Sequence, residues 1–258
     1  MNDANKSTRV LCQFSCGAAS AVATKLALAE YGDRCVVVNA YLANEHPDNR
    51  RFLADCETWF GRAVTVLRDE KYGADIIEVF KRVQYIKGPN GASCTARLKR
   101  GLLRTIEQPG DILVLGYTAE EQHRLDDWLE NWPDRPIATP LIDRGLTKED
   151  CKAMVQRAGI RIPFMYEQGY DNANCIGCVK GGQGYFRAIR QDYPAEFERL
   201  AQVESDIGPG AYILVHRSGP MKGQRFPLRE LSDGPIRRNE KLPSCGLFCE
   251  TAEQDYAA

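Results

Sequence analysis

The sequence lacks a long apolar run and a strong excess of charge of either sign. No stretch of its 258 residues approaches the length of a membrane-spanning helix, and the polar residues 1–6 lack the apolar core of a signal peptide. The formal net charge of -1 predicts no general attraction to nucleic acid or to acidic membranes. We therefore expect a cytoplasmic protein without a membrane partner.

Histidine is scarce, and paired metal-binding knuckles are absent from the sequence. The 3 histidines, His46, His123 and His216, do not pair with one another or with cysteines along the chain. A single Cys-x-x-Cys is present, at Cys175 and Cys178, whereas zinc sites commonly use two knuckles. By itself, one Cys-x-x-Cys is compatible both with zinc and with an iron–sulfur cluster.

Cysteine, in contrast, is abundant, with 10 residues. In a reducing compartment these are not expected to form a disulfide framework. Cys12 and Cys35 lie in strand-like runs, and Cys56 and Cys151 lie in helix-like ones, which predicts buried core residues. The cysteines in turn-like sequence are the candidates for chemistry, namely Cys16, Cys94, Cys175, Cys178, Cys245 and Cys249.

The hydrophobic pattern predicts a doubly wound α/β fold. Continuous apolar runs are typical of parallel strands that are covered on both faces, and they alternate here with helical patterns. The predicted strands are residues 9–14, 34–41, 63–67 and 111–116, and the predicted helices are residues 18–31, 47–60, 147–158 and 194–207. Only short strands and turns follow, so we expect a nucleotide-binding domain over 1–208 and a small appendage over 209–258.

A turn of small residues connects the first predicted strand to the first predicted helix. Gly17 allows a phosphate to approach the backbone, and the helix start supplies amide groups. No Walker A lysine follows, so the bare pattern also fits an ordinary turn. Its position at the carboxyl end of a strand favours a ligand site. The turn consists of Ser15, Cys16, Gly17, Ala18, Ala19 and Ser20.

This turn resembles the Ser-Gly-Gly-x-Asp-Ser pyrophosphate loop of the adenine nucleotide alpha-hydrolase superfamily. Residues 44–48 are similar to the Glu-x-Pro segment after the second strand, and residues 116–124 to the Gly-x-Arg-x-x-Glu-x-x-Arg segment after the fourth. Residues 94–99 and 174–182 are similar to the cluster segments of the ATP pyrophosphatases of DNA phosphorothioation. Over about residues 9–197, the chain thus resembles the phosphoadenosine phosphosulfate reductase-like branch.

The resemblance implies a Rossmann-like fold that binds ATP or adenylyl sulfate with Mg²⁺ and carries a 4Fe-4S cluster. Besides the turn, the implied nucleotide contacts are Asn44, Glu45, Gly116 and Glu121. The sequence departs from the family pattern at Cys16 and Ala19, where the loop has Gly and Asp, and at Thr118, where an arginine is usual. These departures make nucleotide binding a firmer expectation than turnover.

The implied cluster ligands are Cys94, Cys175, Cys178 and one C-terminal cysteine. Either Cys245 or Cys249 supplies the fourth thiolate, or the fourth iron is open. Cys249 is slightly favoured, since Cys245 matches the nucleophile of the sulfonucleotide reductases. The implied catalytic residues are Cys245, Arg124 and Lys99.

Two further patterns leave alternatives open. Arg97, Lys99, Arg100 and Arg104 follow Cys94 at near-helical spacing, which suits a solvated face or an anion site beside a cluster. Tyr185 and Phe186 lie beside a glycine-rich stretch and suit base stacking or core packing.

The expected function is ATP-dependent adenylation of an acceptor followed by sulfur transfer. The alternatives are reduction of adenylyl sulfate or its 3′-phospho form, and a nucleotide or redox sensor without turnover. The expected partners are an adenine nucleotide, a cysteine desulfurase or thioredoxin-like protein as sulfur or electron donor, and a nucleic acid as one class of acceptor.

Overall fold

The computed structural model describes residues 8–88 and 91–242, which form two compact units. Unit 1 contains residues 8–41, 47–67 and 102–164, and unit 2 contains residues 42–46, 68–88, 91–101 and 165–242. The chain therefore passes between the units several times.

Unit 1 is built on a five-stranded sheet in the order β3-β2-β1-β6-β7, with every neighbouring pair parallel. The strands are β1 (Val10–Gln13), β2 (Cys35–Ala40), β3 (Thr65–Leu67), β6 (Ile112–Val114) and β7 (Ile137–Ala138). Val10, Leu11 and Cys12 are all fully buried, although successive side chains of a strand point to opposite faces. The sheet is therefore covered on both faces, which confirms the predicted doubly wound α/β fold.

Three helices of unit 1 begin and end close to the predicted bounds, whereas the helix after β6 was not predicted. The helices are α1 (Ala18–Tyr31), α2 (Asp48–Phe60), α6 (Gln122–Asn131) and α7 (Lys148–Arg157), and the short α5 (Gly101–Arg104) leads into the unit. Thr147 and Asp150 form a reciprocal capping box at the start of α7, because each side chain bonds the other residue's amide. The helix therefore begins where the sequence predicts it, next to Thr147.

Unit 2 is mainly helical and has its own apolar core. Its helices are α3 (Ile76–Val83), α4 (Ser93–Thr95), α9 (Gln183–Asp192), α10 (Pro194–Ile207) and the part of α8 (Phe164–Glu167) after its first residue. Two small hairpins pair β4 (Lys87–Gly88) with β5 (Gly91–Ala92) and β8 (Leu214–Val215) with β9 (Arg225–Phe226). Short 3₁₀ turns occur at Gly32–Arg34 and Ala119–Glu121 in unit 1, and at Pro209–Ala211 and Leu228–Glu230 in unit 2.

Residues 209–242 add one of these hairpins and short turns, consistent with the predicted small appendage. The predicted boundary near residue 208 nevertheless differs from the division into units, since both flanking segments belong to unit 2. The reason is Glu204 of α10, which is fully buried and accepts hydrogen bonds from the amides of Ile213 at 2.5 Å and Leu228 at 2.6 Å. The pKa of Glu204 is raised by burial.

The four cysteines predicted to be core residues are buried. Cys12 and Cys35 lie in adjacent strands, and Cys56 and Cys151 lie on the inner sides of α2 and α7. Burial raises the pKa of both Cys56 and Cys151 to about 12, so these thiols are poor nucleophiles.

Across residues 8–88 and 91–242, no helix combines the length and apolar character needed to cross a membrane.

Candidate functional site

The small-residue turn follows β1 directly, at the central strand of the unit 1 sheet. Cys16 has a φ of 58°, in the left-handed region that favours glycine. A cysteine therefore adopts here a backbone conformation that glycine usually occupies. Such strain is characteristic of functional turns.

Ser20 holds this turn closed from the first turn of α1. Its hydroxyl donates to the Gly17 carbonyl at 2.9 Å and accepts from the Ser15 amide at 3.2 Å. Gly17 is the N-cap of α1 and supplies no side-chain cap, and the first turn contains no acidic residue. The start of α1 is therefore suited electrostatically to an anion.

Gly116 lies after β6, the strand next to β1, and approaches the same turn. A Cβ atom at Gly116 would lie 3.3 Å from Ser20 Cα and 3.6 Å from Ser20 N. The chain runs from β1 outward to β2 and β3 on one side, while β6 and β7 lie on the other. The turn and Gly116 thus meet at the switch point of the sheet, where open α/β sheets bind ligands.

A polar pair that the sequence did not reveal surrounds the Cys16 thiol. Asn39, at the end of β2, donates to the Phe14 carbonyl at 2.7 Å and to Cys16 Sγ at 3.5 Å. Arg50, in α2, donates to Asn39 Oδ1 at 3.1 Å and to Cys16 Sγ at 3.6 Å. The guanidinium of Arg50 therefore places positive charge beside the turn. Arg50 and Cys16 are far apart in the sequence, so only the tertiary fold brings them together.

The segment after β6 is stabilised by its own residues. Thr118 and Glu121 form a capping box, in which Glu121 accepts the Thr118 amide at 3.2 Å. Glu121 also accepts from Arg124 Nη1 at 2.5 Å, and the Arg124 guanidinium stacks 4.1 Å from the centre of the Tyr117 ring. Glu121 and Arg124 are thus preorganised within unit 1.

Asn44 and Glu45 belong to unit 2, and both have structural contacts there. Asn44 donates from its side chain to Asp75 at 2.9 Å and accepts the Ile76 amide at 2.9 Å, which secures the start of α3. Glu45 forms a β-bridge with Cys175, and the Ile176 amide donates to the Asn44 carbonyl at 2.9 Å. The Glu-x-Pro-like segment therefore supports the Cys-x-x-Cys segment.

The Cys-x-x-Cys forms a tight turn in which the Cys178 amide donates to the Cys175 carbonyl at 3.1 Å. Gly177 within it has a φ of 72°, and a Cβ there would overlap the Leu200 side chain, so only glycine fits. Cys175 and Cys178 are both buried in the unit 2 core. Their neighbours in the sequence are polar, but residues distant in the sequence cover the turn.

Cys94 is half-buried and packs against the same core cluster that contains Cys175 and Cys178. Ser93, next to Cys94, is buried and donates its hydroxyl to the Tyr85 carbonyl at 2.7 Å. This bond gives Ser93 a structural role. Among residues 8–88 and 91–242, none of the cysteines forms a disulfide.

The basic stretch after Cys94 is not an ordinary solvated face. Residues Ala96–Arg100 form a π-helical turn, a distortion that is frequent at functional sites. Lys99 and Arg100 are both buried, and Lys99 Nζ lies 3.8 Å from Glu45 Oε1. Lys99 is therefore linked to Cys175 through the bridge of Glu45.

Polar groups lie around the two buried thiols. Tyr185 is in the core; its hydroxyl accepts the Cys178 amide at 2.9 Å and donates to the Cys175 carbonyl at 3.4 Å. Burial lowers the pKa of Lys87 to about 8, and Cys178 acts in the opposite direction. In the described part of the chain, the buried Asn174 Nδ2 has no hydrogen-bond partner, although it could donate to a sulfur atom.

Cys175 and Cys178 are therefore not a solvated thiol pair, and Cys94 packs against the core that contains them. The three cysteines share one core, and hydrogen-bond donors to sulfur help set the properties of a cluster. No group of three or more His, Cys, Asp or Glu side chains that could hold a metal ion occurs among the described residues. The thiolates of a 4Fe-4S cluster each bind a different iron, so they lie further apart than ligands that share one ion. Cys245 and Cys249 lie outside the described residues.

Tyr185 and Phe186 are core residues, packed edge to face at 5.3 Å between ring centres. The base-stacking alternative does not suit either side chain. Comparison of the sequence with models of protein families gives no match, and neither does comparison with curated proteins.

Proposed function

We propose that this protein is an iron–sulfur enzyme that uses ATP to adenylate an acceptor and then transfers sulfur to it. The observation that carries the proposal is the core that Cys94 shares with Cys175 and Cys178, a pair far from Cys94 in the sequence. Packing alone gives no role to three thiols that lie in one core with the unpartnered amide of Asn174 near them in the sequence. A site that holds sulfur or iron would give these groups a role.

The unit 1 turn supports the nucleotide part of the proposal. The left-handed Cys16, the Ser20 hydroxyl bonds and the close approach of Gly116 are the features expected where a pyrophosphate contacts backbone amides. Arg50 adds a guanidinium beside Cys16 and is our candidate for the anion-binding role of the arginine that Thr118 replaces. Mg²⁺ would neutralise the remaining phosphate charge.

The proposed reaction has two steps. The acceptor oxygen attacks the α-phosphorus of ATP, a P–O bond breaks, and pyrophosphate leaves while the acceptor loses its proton. Hydrosulfide from a sulfur donor then displaces AMP, which leaves with the acceptor oxygen, so no net oxidation or reduction occurs. A cluster bound by Cys94, Cys175, Cys178 and a C-terminal cysteine would hold the sulfur before transfer.

In this scheme, Ser15, Gly17 and Ser20 bind and orient the phosphates. Lys99 is buried beside Glu45, and in this scheme its ammonium group stabilises the negative charge of the proposed thiolate ligands. Arg124 is a positioning residue, because Glu121 and the Tyr117 ring already fix its guanidinium. A nucleic-acid acceptor and a cysteine desulfurase as sulfur source complete the proposal. A thioredoxin-like donor supplies the two electrons that reduce the desulfurase persulfide to the hydrosulfide that attacks.

The test begins with anaerobic purification followed by iron and acid-labile sulfide analysis. Pyrophosphate release from ATP is then measured with candidate acceptors, with Gly17→Val as the variant in which a side chain blocks phosphate approach. We expect iron, sulfide and acceptor-dependent release that Gly17→Val abolishes.

Zinc without labile sulfide would remove the cluster from the proposal. A sulfo adduct on Cys245, formed from adenylyl sulfate in the absence of reductant, would replace sulfur transfer with sulfonucleotide reduction.

A further inference from the structure

The β8–β9 hairpin of unit 2 carries a local excess of positive charge. Residues 207–229 contain four basic side chains and no acidic one, whereas the whole chain has a formal net charge of -1. Two of the four, Arg217 and Lys222, lie in the loop between the strands, and both are exposed. Across residues 8–88 and 91–242, neither of them pairs with a carboxylate, whereas Arg229 pairs with Glu198 of α10.

The loop that holds these two cations is ordered by its own backbone. The His216 amide donates to the Gln224 carbonyl at 2.9 Å, and the Gly223 amide donates to the His216 carbonyl at 2.9 Å. These bonds continue the pairing of β8 with β9 into the loop. The His216 ring also lies 4.3 Å from the Phe226 ring, measured between their centres. The cations are therefore held on a preorganised turn, which lowers the entropic cost of binding a partner.

The base of the hairpin lies next to the Cys-x-x-Cys segment. Gln183 donates from its side chain to the Val215 carbonyl of β8 at 3.1 Å. Gln183 is the first residue of α9, which begins five residues after Cys178. On the other strand, Arg225 donates to the Lys87 carbonyl at 3.0 Å. The hairpin is thus anchored both to the helix after the cysteines and to β4.

Lys87 adds a further cation on the β4 side of the hairpin. Burial lowers the pKa of Lys87 to about 8, and the guanidinium groups of Arg225 and Arg217 act in the same direction. Cys178 and Glu204 oppose this shift. Several like charges therefore lie close together beside the cysteine segment, and an external anion would relieve their repulsion.

We name Lys87, Arg217, Lys222 and Arg225 the hairpin patch. We propose that this patch is a docking surface for a nucleic acid, whose phosphodiester backbone contacts the exposed Arg217 and Lys222. A polyanion offers one phosphate to each of several cations, and Lys and Arg bind these phosphates without reading the base sequence. The role of the patch in presenting the acceptor rests on the proposed function, whereas nucleic-acid binding itself does not.

An acidic membrane is the other extended polyanion that a basic surface could meet. Segments that bind membranes combine basic residues with a broad apolar face that enters the lipid. In the described part of the chain, Met221 is the one large apolar side chain that the hairpin loop exposes. The hairpin patch therefore fits a nucleic acid better than a membrane.

Binding is tested by fluorescence anisotropy with the anaerobically prepared full chain. The probes are short mixed-sequence duplex DNA, single-stranded DNA and RNA, and the salt is raised from about 50 to 200 mM KCl. We expect the wild type to bind at least one probe, with an affinity that falls as the salt rises. Binding to none of the probes overturns the proposal, and so does tighter binding to phosphatidylserine vesicles than to any of them.

The surface is tested with the double variant Arg217→Gln/Lys222→Gln. Each lost phosphate contact contributes about 0.7–0.9 to the slope of log K against log salt, so the slope should become shallower by roughly 1.5–2. At about 0.1 M salt, the affinity should fall roughly tenfold or more. Both side chains are exposed, so the unfolding midpoint by circular dichroism should not change.

The matched control is Lys81→Gln/Arg82→Gln, which removes the same two charges from exposed positions of α3 beside Glu78. It should bind nucleic acid as the wild type does. Equal slopes in the two double variants would overturn the proposal. Ultraviolet cross-linking to a 5-bromouracil-substituted probe, followed by peptide mapping, should label residues 212–226, and labelling confined to other segments also overturns it.

Pyrophosphate release separates the docking surface from the proposed function. If the wild type binds nucleic acid through the hairpin patch but nucleic acid does not stimulate pyrophosphate release from ATP, the nucleic-acid acceptor fails and the docking surface stands. If nucleic acid stimulates release, and Arg217→Gln/Lys222→Gln changes neither the binding nor the KM for nucleic acid, the docking surface fails alone.

Discussion

Gly116 and Ser20 are in such close contact that a single methyl group between them would lie 3.3 Å from the Ser20 backbone. Ser20 opens α1, and Gly116 follows the neighbouring strand β6, so this contact fixes the turn against the sheet. A side chain at Gly116 must displace backbone, which yields less easily than a flexible side chain.

We therefore expect Gly116→Ala to destabilise the protein by roughly 1–3 kcal/mol. The free energy of unfolding in urea, followed by circular dichroism, measures the effect. The control is Gly210→Ala, where an added Cβ meets open space and the change should stay within about 0.5 kcal/mol. Equal unfolding midpoints for wild type and Gly116→Ala would show that the turn moves freely.

Ser20→Ala should weaken ATP binding, because the turn loses its hydroxyl bonds to Gly17 and Ser15. Loss of a neutral hydrogen bond of this kind costs about 0.5–1.5 kcal/mol, or roughly a twofold to tenfold loss of affinity per bond by calorimetry. Ser205→Ala, which removes a hydroxyl bonded to the Ala201 carbonyl in α10, should bind ATP as the wild type does. Identical affinities for Ser20→Ala and Ser205→Ala would place the nucleotide elsewhere.

Asp48 should make unit 1 sensitive to acid. Its carboxylate accepts from Arg51 at 2.7 and 2.8 Å, from the Phe164 amide at 2.9 Å and from Arg161 at 3.0 Å. The hydrogen bonds from Arg51 are the main reason why the pKa of Asp48 lies well below its usual range. Because the folded-state pKa is lowered, the stabilisation is present above the unfolded value of about 4 and is lost as the pH falls below it.

The measurement is urea unfolding from pH 7 to pH 3, followed by tryptophan fluorescence, since all 3 tryptophans lie in unit 1. We expect Asp48→Asn to be less stable than wild type by about 1.5–3 kcal/mol at pH 7, with the difference shrinking towards pH 3. Asp134→Asn, at an exposed aspartate of unit 1, is the control. A difference that is constant across the range would contradict the predicted role of the Asp48 charge.

Cys178→Ser should remove iron and labile sulfide from anaerobically prepared protein, because the buried thiolate is a proposed ligand. Cys56→Ala is the matched control in unit 1, where loss of a buried thiol should cost roughly 1 kcal/mol and leave the iron content unchanged. Equal iron in both variants would exclude Cys178 as a ligand.

Lys99→Met should destabilise unit 2 by about 3 kcal/mol, because it leaves the buried Glu45 carboxylate without this neighbouring charge. The double variant Lys99→Met/Glu45→Gln removes both charges and should recover most of that loss. If the double variant also recovers pyrophosphate release, the role of Lys99 is structural. If it recovers stability but not pyrophosphate release, the result supports the proposed catalytic role of Lys99.

The sequence alone determined the fold class and most of unit 1. The strands, the helix bounds, the capping box at Thr147 and the burial of Cys12 and Cys56 are local consequences of apolar periodicity and terminal signals. The two-residue strand β7 was missed, since so short a segment carries no readable period. The turn at residues 15–20 was found because its pattern is contiguous.

The tertiary structure decided what surrounds the candidate sites. Arg50 contacts Cys16, and Glu240 caps the helix that follows Cys178, across separations at which the sequence carries no local signal. Cys175 and Cys178 have polar neighbours in the sequence, but residues from distant segments bury both in the unit 2 core. Burial is a property of the whole packed core, so a short sequence window could identify these cysteines but not their environment.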